Sequence, residues 1–392
     1  MPTVFVPKET LPGETRVAAT PDTVARLVKH GMTVRIERDA GTRSQITDQE
    51  YENNGATLVS DATEGYGSAD LILKLHPPVD DEISAMKPGA ILVSYVQALT
   101  DKAIVEKLRD RGVTTFAMEL VPRITRAQKM DALSSQANLA GYKAVILAAD
   151  HLPRIFPMMT TAAGTIQPAH VVILGAGVAG LQAIATAKRL GAVVEVSDVR
   201  PAVKEQVESL GGKYIEVPTD EAAEDEGGYA KEQSEEFLAK QRELVRKRIV
   251  RADVVITTAA IPGRPAPKLV TDDMVQEMHT GSVIVDLAAA TGGNCTMTER
   301  GETVVKEGVT IIGTLELPAL VPINATMVYA KNVLNVIEDM MDKEGNIQID
   351  RSDEVVDGSL VCMDKQVLHP RVCEAHGFTA PAPAEAQTPE EG

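Results

Sequence analysis

Two doubly wound α/β domains with a cleft between them are what the sequence predicts, and three observations predict it. Short apolar runs alternate with amphipathic helical stretches along most of the chain, the pattern of parallel strands joined by crossover helices. One of those runs leads directly into a glycine-rich turn, Gly175-Ala176-Gly177-Val178-Ala179-Gly180. The chain has 392 residues, 44% hydrophobic and 24% charged, which is globular usage and enough material for more than one core.

In chain order, the first series of predicted strands is Thr3–Val6, Val34–Ile36, Leu71–Lys74, Ile91–Ser94 and Thr114–Ala117, separated by helical segments such as Asp22–His30 and Asp101–Arg111. A polar, charge-dense connector, Pro122–Asp131, reads as a hinge before a long helix over Ser134–Asp150. A second series follows: Val171–Leu174, Val193–Ser197, Tyr214–Val217, Val254–Thr257, Val283–Asp286 and Thr310–Ile312, six strands that suffice for a complete doubly wound sheet. Between Thr219 and Gln241 the chain turns acidic and glycine-containing, as a mobile surface loop does before a helix. Beyond Ile312 the chain is expected to return to the first domain. The expected division is therefore residues 1–135 with 322–376, residues 136–321, and a Pro/Ala/Glu-rich disordered tail over 377–392.

Charge and composition exclude several function classes. The 39 Lys and Arg stand against 56 Asp and Glu, a net charge of −17 with no basic block, so nucleic acid is not an expected partner. The start, Met1 to Lys8, lacks the basic and long apolar regions of a secretory signal, and a cytoplasmic location is expected. Cys295, Cys362 and Cys373 are an odd, scattered set without metal-ligand spacing, so neither a disulfide framework nor a metal site is expected. The uncharged run from Ile155 to Ala187 contains Pro157, Pro168 and four glycines, and reads as loop, strand and helix rather than a membrane span.

The glycine turn names a ligand class. G-x-G-x-x-G is a weak signal alone, but here it follows the strand Val171–Leu174 and opens a helical segment. Gly175 permits the tight turn, Gly177 lets a pyrophosphate approach the backbone, and Gly180 allows close packing of the helical segment Leu181–Leu190 on the strand, with Val178 in the turn as a further cofactor contact. This is the Rossmann arrangement for a dinucleotide. Asp198, eighteen residues beyond Gly180, stands where a carboxylate accepts ribose hydroxyls and repels a 2′-phosphate, which favours NAD(H) over NADP(H). Val199 and Arg200 follow it, and Arg200 could instead welcome a 2′-phosphate. Lys8, Arg16 and Lys74 lie at strand ends of the first domain, where they read equally as ligand-binding or as solvated cations. The stiff turn Pro262–Pro267 after Val254–Thr257 suits a nucleotide wall, and reads equally as a connector.

At longer range the chain resembles a specific family. The stretch from Ala117-Met118-Glu119-Leu120-Val121-Pro122-Arg123 through Ser134-Ser135-Gln136-Ala137-Asn138-Leu139-Ala140-Gly141-Tyr142 resembles the signature of the NAD(H)-binding component of proton-translocating nicotinamide nucleotide transhydrogenases. So do Pro7-Lys8-Glu9, Gly227-Gly228-Tyr229-Ala230-Lys231-Glu232, and Asp286-Leu287-Ala288 with Gly292-Gly293-Asn294, over roughly residues 1 to 372. Alanine dehydrogenases share the fold. In that family a Lys and an Arg hold the substrate carboxylate, and a His and an Asp handle protons. Lys74 and Arg16 match the cations, but Gln97 stands at the His position and Ala290 at the Asp position.

Oxidising an amino acid needs a titrating general acid or base. Neither Gln97 nor Ala290 can titrate. Passing hydride from one nicotinamide to another needs only alignment at about 3–3.5 Å with water excluded.

The resemblance implies that Arg123, Ile124, Thr125, Arg126, Gln128, Asp131 and Ser134 form the loop gripping the dihydronicotinamide, with Arg123, Gln128, Asp131 and Ser134 as its functional positions. Gln128 would bridge to the second nucleotide's ribose. Gly228 and Tyr229 would belong to a loop closing over NAD(H), and Ala260, in the wall after Val254–Thr257, would offer only a backbone contact. The implied function is hydride transfer between NADH bound here and NADP(H) bound on a partner subunit, coupled to proton translocation by a separate membrane-spanning subunit. The chain would be a homodimer, peripheral on the inner membrane through those partners. The alternatives are an amino-acid dehydrogenase and a non-catalytic NAD-binding regulatory module.

Overall fold

The computed structural model describes residues 1–216, 235–260, 264–342 and 346–379, with backbone alone over 235–239. The strands, in chain order, are β1 Thr3–Val6, β2 Thr33–Glu37, β3 Thr57–Val59, β4 Leu71–Leu73, β5 Ile91–Ser94, β6 Thr114–Ala117, β7 Met159–Thr161 and β8 Gly164–Ile166. They continue with β9 His170–Leu174, β10 Val193–Ser197, β11 Lys213–Tyr214, β12 Val254–Thr257, β13 Val283–Asp286, β14 Thr303–Lys306, β15 Val309–Ile312, β16 Leu360–Met363 and β17 Gln366–Val367. The chain divides into two compact units, Met1–Gln136 with everything from Pro318 onward, and Ala137–Leu317.

The first unit is an eight-stranded sheet of order β17-β16-β6-β5-β4-β1-β2-β3. Successive side chains of a strand point to opposite faces, and here both faces are buried. Val4 and Val6, with Leu71, Leu73 and Phe116, pack against Tyr329, Val333 and Ile337 of the helix Pro322–Asp339. Phe5, Ile72 and Leu92 pack on the other face with Tyr66, Ile83, Ile104 and Leu108 from three shorter helices. Continuous apolar strands with helices on both sides are the physical content of a doubly wound parallel sheet.

The second unit repeats the logic in seven strands of order β11-β10-β9-β12-β13-β15-β14. Val171, Ile173, Val254 and Ile256 line one core, while Val172, Leu174, Val255 and Ile284 line the other. The strand order reverses between β9 and β12, the position at which doubly wound sheets open a ligand crevice at their carboxyl ends.

Both sheets are mixed rather than purely parallel. β14 pairs antiparallel with β15 across Glu307-Gly308, and β16 with β17 across Asp364-Lys365. All four turn residues have positive φ, between 49° and 78°, as a two-residue hairpin turn of primed type requires. β16 also runs antiparallel to β6, and it is the strand by which the returning chain rejoins the first sheet. The expected strand over Tyr214–Val217 is shorter, ending at Tyr214, and Val217 lies outside the described residues.

The connector read as a hinge is instead fastened within the first unit. Ala127 and Met130 are buried, and Arg126 binds Asp339 at 3.0 Å and Asp353 at 2.5 Å. Asn332 and Asn335 both donate to the Lys129 carbonyl. The change of unit comes later, between Gln136 and Ala137, inside the helix Ala132–His151. At the far end, Gly377 caps the helix Pro370–His376, and Phe378 lies against Lys102 and Arg109. From residue 380 the expected tail lies outside the described residues. Among the described residues no helix is long and apolar enough to cross a membrane.

Gly141 shows how tight the second unit is around its glycine turn. A Cβ there would sit 2.1 Å from the Ala179 carbonyl oxygen, and backbone cannot give way as a side chain does. Gly141→Ala is therefore expected to cost about 1–3 kcal/mol or more, read as a lower urea midpoint. A midpoint equal to that of the parent protein would disprove this account of Gly141.

Candidate functional site

At the end of β9 the chain reverses through Gly175, whose φ of +106° is open only to glycine at low cost. A Cβ on Gly175 would also meet the Thr258 hydroxyl at 2.4 Å, and one on Gly180 would meet the Gly175 carbonyl oxygen at 1.9 Å. Gly177 is different. A Cβ there would meet nothing within 4 Å, so its missing side chain leaves open space at the amino end of the helix Val178–Arg189. Gly177 is the N-cap of that helix and supplies no side-chain cap, so the first-turn N–H groups remain available. Open space, unfilled donors and the positive end of a twelve-residue helix fit a pyrophosphate.

Asp198 sits just beyond β10 and is buried. Its Oδ2 accepts the Ala176 N–H at 2.7 Å, which ties it to the glycine turn. Arg200 embraces it through its backbone N–H to Oδ1, Nε to Oδ1 and Nη2 to Oδ2, at 2.9–3.0 Å. Burial pushes the carboxyl up, but the Arg200 side chain and the two N–H donors outweigh it and hold Asp198 below the usual range. Asp198 is thus an ionised acceptor beside the glycine turn, and Arg200 is already committed to it. Tyr214 braces the same bend by donating to the Asp198 carbonyl at 2.6 Å. Val199, between them, is 91% exposed, and Val178 is also partly exposed.

The β12 side of the turn is fixed by residues the motif search passed over. The Thr258 hydroxyl donates to the carbonyls of Leu174 and Gly175. Asn294, fully buried, engages Ala259 and Pro267. Asp286 is also fully buried, and its carboxylate accepts from Thr257, Thr298 and the N–H groups of Ala288 and Cys295. Asp286 and Asn294 lie within stretches quoted above, but nothing in their spacing indicated that they were braces. Ala260 is exposed at the end of this wall. Residues 261–263 lie outside the described residues, as do Gly228 and Tyr229.

In the first unit the loop from Arg123 to Ser134 follows β6. Asp131 caps the helix Ala132–His151, taking the Ser134 N–H at 2.8 Å and its hydroxyl at 2.6 Å. Two of the expected functional positions are therefore a single hydrogen-bonded pair. Arg123, Thr125 and Gln128 are exposed and Ile124 is half-buried. Neither Arg123 nor Gln128 makes a side-chain hydrogen bond to another described residue, whereas Arg126 is held by Asp339 and Asp353. The loop thus has a braced base and two long polar side chains left to contact a ligand.

The cations of the first unit are neutralised from within. Arg16 is paired bidentately to Glu14, Nε to Oε1 at 2.8 Å and Nη2 to Oε2 at 2.7 Å, and its Nη1 donates to Gln136. Lys74 lies between Glu82 at 2.9 Å and Glu9 at 3.5 Å. Burial pulls the Lys74 amine down, but the two carboxylates more than offset it, so it is held above its usual range and stays protonated. A general base it is not.

Gln97 is exposed beyond β5 in a left-handed conformation, φ +58°. The backbone on either side of it is held by Glu119, whose carboxylate accepts the N–H groups of Val96 and Ala98. Ala290 is exposed on a short turn in the second unit.

Because Arg200 is tied up by Asp198, the pair is expected to favour a dinucleotide without a 2′-phosphate. Asp198→Asn should weaken NADH binding about tenfold, the order expected for one charge-assisted hydrogen bond, and should improve NADPH relative to NADH as Arg200 is released. Equilibrium binding of both dinucleotides checks this, and an unaltered NADH to NADPH preference would refute it.

Comparison with known proteins agrees with this geometry. The profile described as alanine dehydrogenase/PNT, N-terminal domain, matches residues 5–140, and that described as alanine dehydrogenase/PNT, C-terminal domain, matches residues 144–370. The chain is 51% identical over 376 residues to the first portion of NAD(P) transhydrogenase subunit alpha of Rhodospirillum rubrum, covering 94% of this chain and 98% of that one. It is 31% identical over 389 residues to alanine dehydrogenase of Mycobacterium tuberculosis, covering 97% and 98%. Among solved structures, transhydrogenase from Sinorhizobium meliloti superposes with a TM-score of 0.85 at 46% identity, over 93% of this chain and all of the other. An L-alanine dehydrogenase superposes with a TM-score of 0.79 at 26% identity, over 96% and 99%. With a glycine turn that fits a pyrophosphate, an ionised carboxylate beside it and these matches along nearly its whole length, the chain belongs to the alanine dehydrogenase/PNT family.

Proposed function

We propose that this chain is the NAD(H)-binding alpha component of a proton-translocating transhydrogenase, passing hydride between NADH bound here and NADP(H) bound on a partner subunit. The observation that carries the choice within the family is the chemistry of two positions. Where amino-acid oxidation needs a proton acceptor and donor, this chain has the amide of Gln97 and the methyl of Ala290. The cations matching a substrate-carboxylate site are each already paired to glutamates.

The dihydronicotinamide supplies a hydride from its C4 carbon, and that step exchanges no proton with the protein. The chain's own residues bind and orient. The turn at Gly175 and Gly177 takes the pyrophosphate and Asp198 the adenosine ribose. Asp131 and Ser134, locked together, present oxygens to the nicotinamide ribose and carboxamide, Arg123 anchors the carboxamide, and Gln128 reaches the nucleotide on the partner. Proton translocation belongs to a separate membrane-spanning subunit, and the chain is held at the inner membrane through its partners.

A homodimer is part of the reading, and a ribbon in the second unit supports it. All six residues of β7 and β8 are exposed, and the ribbon carries Met159 and Ile166, with Met158 beside it, on its surface. A lone two-stranded ribbon is marginal in water, and clustered exposed apolar side chains mark a contact surface. Replacing Met159 and Ile166 by Glu should halve the mass measured by light scattering. A parent protein already of monomer mass would end the dimer reading.

Mixing the chain with an NADP-binding partner should give NADH-to-NADP transfer, while pyruvate with ammonia should give no NADH oxidation by the chain alone. Brisk reductive amination, or no transfer with a competent partner, would reject the assignment. Gln128→Asn should leave NADH affinity within about twofold yet slow transfer by tenfold or more, since misplacement of about 1 Å can cost a hundredfold. An unchanged single-turnover rate would remove Gln128 from the mechanism.

A further inference from the structure

The strand order of the second unit reverses between β9 and β12, so whatever binds at their carboxyl ends lies between the turn at Gly175 and the segment that follows Thr257. The turn shapes itself through glycine. The opposite wall has no such device of its own, since Thr258, Ala259 and Ala260 leave the end of β12 as irregular chain.

We propose that Asn294 is a positioning residue for the nucleotide site, setting that wall against the glycine turn; this rests on the reading that the second unit binds NAD(H). Asn294 is fully buried, and its amide is completely used: Oδ1 accepts the Ala259 N–H at 3.1 Å, while Nδ2 donates to the carbonyls of Ala259 and Pro267, each at 2.8 Å. One side chain therefore grips both polar groups of Ala259 and ties them to the Pro267 carbonyl. Its own backbone carbonyl accepts the N–H groups of Leu269 and Val270, pinning the chain just beyond Pro267.

The grip is rigid because Asn294 stands in a loop braced by Asp286. The N–H of the next residue, Cys295, donates to that buried carboxylate at 3.0 Å. The wall is in turn tied to the turn: the neighbour of Ala259, Thr258, donates its hydroxyl to the Gly175 carbonyl at 3.1 Å. The chain of contacts runs from Asn294 through Ala259 and Thr258 to the residue that shapes the pyrophosphate turn.

No other common side chain does this. An amide offers one acceptor and two donors on one planar group. Asp in its place loses both donors, and Ala leaves three backbone groups without partners. Asn294 acts through the backbone of Ala259 and Pro267, to which its amide is committed, so its effect falls on binding rather than on the transfer step.

The test uses the full chain with its NADP-binding partner and NADH as the probe. Asn294→Ala should weaken NADH binding about tenfold, while transfer at saturating NADH stays within about twofold of the parent, so that KM moves and kcat does not. Asn294→Ser carries the same expectation should the alanine variant fail to fold. Ser282→Ala serves as the structural comparison. It removes a buried hydrogen bond to the Ala252 carbonyl at the amino end of β13, away from the wall, and should leave NADH affinity unchanged. NADH binding to either Asn294 variant as tight as to the parent would overturn the proposal. So would an equal weakening in Ser282→Ala, which would mark general loosening of the unit. A parent chain that does not bind NADH at all would overturn the functional reading itself, and is recognisable before any variant is compared.

Discussion

One backbone contact governs the second unit: the approach of the Gly180 Cα to the Gly175 carbonyl, so close that a single added carbon would sit 1.9 Å from the oxygen. That approach brings the helix Val178–Arg189 down onto the end of β9 and leaves its amino end open. Helix Ala132–His151 comes equally close to the same segment at Gly141. Dense packing at Gly175 and Gly180 admits no side chain, whereas Gly177 leaves open space of the kind that a phosphate needs. Asp198 then closes the turn from the other side through the Ala176 N–H, so the carboxylate at the end of β10 also fixes the glycine turn at the end of β9.

The first unit answers a different physical demand. It buries several charges, among them Glu9, Glu14, Arg16 and Lys74, and each is compensated at short range. Isolated, any one of them would be expensive to bury; paired and hydrogen-bonded, they are tolerable. The consequence for chemistry is that the unit's buried cations are occupied internally, while Arg123 and Gln128 stand exposed on a loop without a side-chain hydrogen bond to another described residue. A surface that aligns a ligand without titrating against it suits hydride transfer, where geometry sets the rate.

Most of the parallel architecture was legible in the amino-acid order, because a strand buried on both faces is an uninterrupted apolar run, as in Val171–Leu174 or Val254–Thr257. The short edge strands were not. β3, β14 and β17 are partly exposed, so their apolar content is diluted, and the turns Glu307-Gly308 and Asp364-Lys365 place non-glycine residues at positive φ. The connector Pro122–Asp131 reads as a hinge by its charge alone. Its anchors, Asn332, Asn335, Asp339 and Asp353, lie some two hundred residues away. Among the site residues, the glycine turn and Asp198 were legible because their requirement is local. Thr258 and Asn294 were not, since an Asn bracing a loop 35 residues away has no signature of its own.

By itself, then, the order of residues determined that this protein is a doubly wound α/β chain with a dinucleotide turn. It also determined that positions 97 and 290 carry an amide and a methyl, neither of which can titrate. Those properties follow from periodicity, from glycine's missing side chain and from intrinsic side-chain chemistry. Only the tertiary structure decided which cations are spent, which carboxylate holds Arg200, and what braces the wall beside the glycine turn. Each of these depends on groups brought together by the fold, and the strength of a hydrogen bond or ion pair is set by that meeting and by its burial, neither of which a linear sequence contains.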